Sequence, residues 1–385
     1  MFFIKLIARN ALRHRLRTLL TLLGIVVAIV AFGLLSTVVD AWYAGAEGAS
    51  ATRLVTRNAT SLAFFLPISY KQKIRGVEGV RAVSHATWFA GIYREPKNFF
   101  PQFAVDAATY LGLYKEYLLS ADQKMAFLRD RQGCVIGRKV ADVYGFKVGD
   151  VVPLKGTIFP GNWEFVVRGI YDGVSKSTDV SQMFFHWDYL NEVMRRTAPR
   201  RVDLTGVFVV DVTKPDEVAA VSLKIDQTFK NSLAETITET EKAFQLSFVS
   251  MTEALVIAIR TVSYVVIFII MAVMANTMAM TARERLAEYA TFKAMGFGPS
   301  FLMVLIFGES LMIVLLGAAI GIALTYPIAD QFGQAMGTLF KSFRVSQSTV
   351  WLQLGCAVVV GIVASMFPMY RVTKSSIVEG LRNIG

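Results

Sequence analysis

The sequence predicts a membrane α-helical protein of four transmembrane helices, with an extracytoplasmic mixed α+β domain inserted between helices one and two. Three observations carry that expectation. Four apolar stretches, 18–39, 256–280, 301–327 and 350–370, each reach the length of about 20 residues that a helix needs to cross a hydrocarbon core of roughly 30 Å. Arg260 and Glu309 are the charged residues inside them. Short basic segments flank the stretches, and a long stretch of alternating β-rich and helical runs separates the first from the second.

The 1–17 segment holds Lys5, Arg9, Arg13, Arg15 and Arg17 with no acid, and the 281–300 and 371–385 segments are also net basic. Most of the formal charge of +11 lies in these three short segments. Short basic loops mark the cytoplasmic side of a membrane and are drawn to anionic headgroups, so the charge reports topology and contact with membrane lipids, with no nucleic acid as ligand. The expected path starts inside. The 18–39 helix runs out, 40–255 lies outside, 256–280 returns, 281–300 is cytoplasmic, 301–327 goes out, 328–349 is an outer loop, 350–370 returns, and 371–385 is a cytoplasmic tail. A basic start before an apolar run also fits a cleaved signal. This run is about twice a usual signal core, and no small-residue cleavage site closes it before Asp40, so an uncleaved anchor is expected.

Within the outer part, "AVSHATWF", "QFAVDA", "GCVIG", "DVVPLKG", "WEFVVRGIY", "QMFFHW" and "TGVFVVDV" read as strands, rich in branched and aromatic residues. "ISYKQKIRGV", "SADQKMAFLRD", "RKVADVYG" and "KPDEVAAVSLKIDQTFKN" read as helices. Gly149–Asp150 and Pro160–Gly161–Asn162 punctuate a hairpin. One lobe or two is left open. From about residue 233 no Gly or Pro interrupts the run into the second apolar stretch, which predicts a single helical stalk. Cys134 falls in the outer domain and Cys356 in the last span, so the domain is expected to fold without a disulfide. At about 210 residues it is long enough to bury its own core.

Signatures of chemistry are sparse. No G-x-x-x-x-G-K-[ST] loop is present, so the chain has no recognisable means of hydrolysing nucleotide. His14, His85 and His186 lack metal-ligand spacing, and the aromatic neighbours of His186 favour a packed or capped ring. "GVSKS" is not a nucleophile elbow, and Asp172, Asp179 and Asp188 show no pairing. The expectation is a non-catalytic chain with no metal site and no cofactor of its own.

What remains is membrane-borne. In 281–300, Leu286, Tyr289, Ala290, Ala294 and Phe297 form one apolar stripe at helical spacing, with Arg283, Glu284, Arg285 and Glu288 clustered early and Gly296 ending the helix. Such a helix either lies on the headgroups or docks into a cytosolic partner. Glu309 stands about nine residues into the third span, where a carboxylate either serves a pathway or coupling role or reaches back to pair with a base. Gly317-x-x-x-Gly321 permits close helix packing, and Asn276 is a polar residue near a helix end.

"RERLAEYATFKAMGFGPSFLMVLIFGESLMIVLLGAAIGIAL" resembles the signature of the MacB/FtsX-type permeases of ABC transporters. "ARNALRHRLRTLLTLLGIVVAIVAF" is similar to that family's basic approach to its first span, and "GIVASMFPMYRVTKSSIVEGLR" to its closing pattern. "CVIGRKVADVYGFKVGDVVPLKG" with "WEFVVRGIYDG" is similar to its periplasmic core. The tail departs at Glu379–Gly380–Leu381, and Phe367 stands where small residues are frequent. The resemblance implies a mechanotransmission permease working as a dimer with itself or a related permease. A separate cytosolic ABC ATPase would carry the ATP and Mg. Localisation would be the bacterial inner membrane, with both termini cytoplasmic and the large domain periplasmic. Arg283, Glu284, Arg285, Glu288 and Lys293 would face the ATPase, with Gly296 supplying the turn. Glu309 would match the family's span glutamate, and Pro368 and Arg371 the exit from the last span. Reversing the charges of Arg285 and Glu288 would then abolish ATPase association without disturbing the fold. The cargo would be hydrophobic, lipidic or peptidic, with a periplasmic adaptor and outer-membrane channel as further partners. The same resemblance admits control of a cell-wall hydrolase, or lipoprotein release.

Overall fold

The computed structural model describes residues 15–47, 50–175, 178–337, 340 and 343–374. It divides into two compact units, one built from residues up to Asp40, from Glu253–Ala335 and from Phe343 on, the other from Ala41–Thr252 with Met336–Ser342. The first helix, α1 (Arg15–Glu47), has no Pro and a nearly uninterrupted apolar middle, so a lipid-length helix is its natural conformation.

The second unit begins with β1 (Arg53–Asn58), β2 (Leu66–Pro67), α2 (Tyr70–Arg75), β3 (Val80–Trp88), β4 (Gly91–Ile92) and β5 (Gln102–Val105). Next come α3 (Tyr110–Leu113), β6 (Tyr117–Leu118), α4 (Ala121–Arg129), β7 (Gly133–Gly137) and α5 (Arg138–Tyr144). The hairpin of β8 (Val151–Gly156) and β9 (Gly161–Gly173) leads to β10 (Met183–His186), α6 (Trp187–Thr197), β11 (Leu204–Thr205) and β12 (Val207–Val212). Then α7 (Val218–Thr228), β13 (Thr236–Thr240) and α8 (Glu241–Met251) follow.

These strands make one sheet in the order β13-β1-β12-β3-β5-β10-β7-β9-β8-β4, with β6 beside β9 and β11 paired only to β2. The β10–β5 and β7–β9 pairs are parallel. Neighbouring side chains of a strand face opposite sides, and in β10 both sides are covered. Phe185 packs with Phe89, Trp163 and Phe165 on one face, while Phe184 packs with Tyr110, Phe127 and Tyr171 on the other. A further cluster around Leu54, Ile74, Phe208 and Ile225 sits under α2 and α7. The two-lobe alternative is thus resolved as one continuous sheet carrying separate apolar clusters.

The single stalk expected from residue 233 is corrected. Residues 236–240 form β13, antiparallel to β1, because Thr236, Thr238 and Thr240 with Ile237 suit a pleated strand. Asp226 accepts from the Thr236 and Thr238 hydroxyls and from the Thr238 amide. Thr240 then caps α8 by accepting from the Ala243 amide, and Thr252 interrupts the helical run. Also in this unit, His186, the residue before α6, donates from Nε2 to the Phe127 carbonyl at 2.7 Å, which is the packed role. Asp172 pairs with Arg138, and Asp179 accepts from Ser181 and Gln182. Lys139 donates to the Phe340 carbonyl, bringing part of the expected outer loop into this unit.

The remaining helices are α9 (Glu253–Glu284), α10 (Leu286–Ala294), α11 (Pro299–Ala335) and α12 (Gln347–Lys374). By length and composition α1, α9, α11 and α12 are each able to cross a membrane. At 1.5 Å per residue α11 is about 55 Å long, well beyond the hydrocarbon core. Gly317 and Gly321 face Ile25 and Ile29 of α1, where an added Cβ would lie 2.7 and 2.8 Å from isoleucine methyls. The small-residue spacing therefore sets the approach of α1 to α11. Gly321→Ala is expected to cost about 1–3 kcal/mol through overpacking, read as a lower melting temperature in detergent. Gln353 of α12, fully buried, donates to the Ile29 carbonyl and to Thr325, tying three helices together. Ser346 and Thr349 at the start of α12 both donate to Asp40 of α1.

Candidate functional site

The stretch between α9 and α11 concentrates the polar chemistry of the membrane unit. Residues 281–284, expected to belong to the charged helix, instead finish α9, and Arg285 (φ −101°, ψ 11°) breaks the helix before α10. The separate helix is nine residues long rather than spanning 281–300. Its end is a Schellman motif. Gly296, at φ +89°, donates to the Lys293 carbonyl, Phe297 donates to the Phe292 carbonyl, and the Phe292 and Phe297 rings lie 5.8 Å apart. A glycine is the natural residue at that left-handed position.

Arg285 organises the interior. Its Nη1 donates to Glu309 Oε2 at 2.7 Å and its Nε to Glu288 Oε2 at 3.0 Å, while its Cζ lies 5.3 Å from the Tyr289 ring centre. The Arg285 side chain is 4% exposed and that of Glu309 8%, so this ion pair is out of water. Burial alone would lower the guanidinium pKa, but the Glu309 and Glu288 carboxylates outweigh it and keep the group charged. Burial pushes the Tyr289 phenol up to about 12, so it stays neutral. Tyr289 of the predicted stripe packs with Leu302, Leu305 and Ile306 of α11, and Ala290 is buried.

The other expected residues separate around this core. Arg283 is exposed, and Glu284 accepts from Arg17 at 2.8 Å. Lys293 donates to the Val372 carbonyl of α12 at 2.8 Å. Met295 is 59% exposed and Phe297 41%, the latter off the buried stripe. Asn276 is on the exposed face of α9, away from the pair, and Pro368 is buried within α12. The Arg371 side chain and residues 1–14 lie outside the described residues. Sequence reasoning named Arg285 as an outward-facing residue, whereas its side chain is turned in. Charge reversal there is therefore a test of folding and not of docking.

The profile described as MacB-like periplasmic core domain matches residues 18–228, more than half of the chain, and that described as FtsX-like permease C-terminal matches residues 260–377. The chain belongs to the MacB/FtsX-type family of ABC transporter permeases. It is similar to an uncharacterized ABC transporter permease of Methanocaldococcus jannaschii, at 22% identity over 97% of this chain and 96% of that one. It is also similar to the macrolide export ATP-binding/permease protein MacB of Psychrobacter cryohalolentis, at 21% identity over 72% of this chain but only 43% of that protein. Among solved structures, the extracellular domain of the noncanonic ABC-type transporter YknZ from Gram-positive bacteria aligns with 49% of this chain at 13% identity and a TM-score of 0.35. In this MacB/FtsX-type permease, then, the buried Arg285–Glu309 pair sits inside the segment matched by the FtsX-like profile.

Proposed function

We propose that this permease is driven by a separate cytosolic ABC ATPase, which binds ATP and Mg and docks on α10. The docking moves the α/β unit on the other side of the membrane. Both chain termini lie in the cytoplasm in this reading, and a second copy of the chain, or a related permease, completes the complex. The cargo is hydrophobic, lipidic or peptidic. The observation that carries the proposal is the short α10 packed between two membrane-length helices, with Arg283, Met295 and Phe297 left exposed around it. A helix so placed conveys a push to α9 and α11 together. The basic residues Arg15 and Arg17 at the start of α1 favour the same side of the membrane for α10.

The test is purification of the tagged chain from its native host in mild detergent, with partners quantified by mass spectrometry. A stoichiometric ATPase is the expected result. In addition, hydrogen exchange across residues 41–252 of the complex is expected to change when a non-hydrolysable ATP analogue is added. A preparation without ATPase, reproduced after crosslinking, overturns the proposal. Co-purification of a cell-wall hydrolase, or of lipoproteins, would replace the export reading by hydrolase control or lipoprotein release. Arg283→Glu with Met295→Asp, both on exposed positions, is expected to reduce the co-purified ATPase about tenfold or more while leaving the melting temperature unchanged.

A further inference from the structure

We infer that Arg285 and Glu309 are the joint that delivers a displacement of α10 to α11, acting as a positioning pair inside the protein and not as docking residues. The inference rests on the ATPase-driven reading above.

Two routes connect α10 to α11. The covalent route runs through Met295–Gly298, where Gly296 and Gly298 have open space around them, with no atom closer than 3.9 Å to an added Cβ. The Schellman hydrogen bonds hold Gly296, so compliance in that route is confined to Gly298, where the chain leaves the motif. The second route is the guanidinium of Arg285, which spans from the break before α10 to Glu309, about three turns into α11. Apolar contacts of Tyr289 with Leu302, Leu305 and Ile306 accompany it, and such contacts are non-directional. A charge-assisted hydrogen bond fixes one atom against another and resists sliding.

Stability alone does not account for the pair. Two charges withdrawn from water are often no more stabilising than apolar side chains of the same volume, whereas an ion pair enforces register. Glu288 adds a third member. Its carboxylate, with 36% side-chain exposure, holds Nε of the same guanidinium whose Nη1 holds the buried Glu309. The order Glu288, Arg285, Glu309 thus runs from the surface of α10 into the span. Lys293 pins the opposite end of α10 to the Val372 carbonyl of α12, so movement of the helix is referred to α11 through its first turn and to α12 through its last.

The experiment compares Glu309→Gln, which keeps shape and loses charge, with the exchange Arg285→Glu/Glu309→Arg, in the full chain with its ATPase. Glu309→Gln is expected to co-purify the wild-type amount of ATPase within about twofold. Its nucleotide-dependent exchange difference in residues 41–252 is expected to fall at least fivefold, and the charge exchange to restore half or more of it. A full nucleotide response in Glu309→Gln overturns the inference and leaves the proposed function standing. Loss of the ATPase itself from a well-folded Glu309→Gln also overturns it, because the pair would then shape the docking face. Failure of the wild-type complex to respond to nucleotide takes down the proposed function and the inference together. Should Glu309→Gln not fold, Arg285→Lys, which keeps the charge and loses the fork, replaces it with the same expectation.

Discussion

Replacing Arg53 by alanine is expected to destabilise the α/β unit by about 3–5 kcal/mol, the range for removing one partner of a buried ion pair. Arg53 opens β1 with a side chain only 5% exposed. Its Nε donates to Glu241 at 2.8 Å, its Nη2 to Glu116 at 2.5 Å and its Nη1 to the Leu113 carbonyl at 2.9 Å, and the guanidinium lies 3.9 Å over the Tyr114 ring. One planar fork therefore joins β1 to the turn after α3 and to the first residue of α8. Burial would lower its pKa, but the Glu116 hydrogen bond and the Glu241 charge more than reverse that, so it stays charged. Alanine leaves the Glu241 carboxylate, 7% exposed, with the Ser50 amide as a remaining donor. Lysine is expected to recover less than half the loss, since a point charge cannot serve three acceptors in a plane. Arg53→Met combined with Glu241→Met is expected to be less damaging than the sum of the single changes. Denaturant unfolding in detergent, followed by the fluorescence of Trp88, Trp163 and Trp187, measures all five variants.

The membrane helices were legible because lipid imposes a single strong condition, a long run without charge, and 18–39, 256–280, 301–327 and 350–370 meet it. Seven strands were legible because branched and aromatic runs lie between Gly, Pro and Asp. Three features were not. The β1 segment "RLVTRN" carries two arginines whose partners, Glu116, Glu239 and Glu241, are remote in sequence, so no local apolar pattern marks it as a buried strand. β13 lacked a breaker before it and read as helix, although its alternating threonines signalled a strand. α6 follows β10 without a loop, and its spacing of buried Trp187, Leu190, Asn191 and Met194 was hidden by the preceding aromatics. At the candidate site, residue identities were readable but directions were not. The charges of Arg285 and Glu309 lie 24 positions apart, and only the helix break at Arg285 turns one toward the other. A clue existed nonetheless. A carboxylate inside an apolar span demands a cation, and the basic residues nearest to it in the chain lie in 281–300.

Acid sensitivity of the α/β unit is expected to centre on His85. Its ring is 5% exposed on β3, edge-on to Trp187 at 4.9 Å and 6.5 Å from Phe208, and neither ring nitrogen has a hydrogen-bond partner. Burial, and next the Lys71 charge, lower its pKa to about 4, with Asp106 opposing them weakly. Asp106 is itself engaged by Lys71 and Thr109, so its negative charge is largely spoken for. The folded pKa lies below the unfolded value of about 6.5, so between these two the unfolded chain binds more protons than the folded one. Stability is then complete above about pH 6.5 and falls as pH drops toward 4, by about 3 kcal/mol across the window at 1.36 kcal/mol per unit. His85→Phe keeps the aromatic contacts and removes both unsatisfied nitrogens. It is expected to raise stability at neutral pH by about 1–3 kcal/mol and to flatten the decline between pH 6.5 and 4. Denaturant midpoints of the two proteins across that range decide it. Parallel slopes would overturn the assignment to the ring; Asp106 and Asp172, whose pKa values are held low by Lys71 and Arg138, lose their contribution only below about pH 5, at the acid end of the window and beyond. A slope present only with histidine assigns it to the ring, because the carboxylates are common to both.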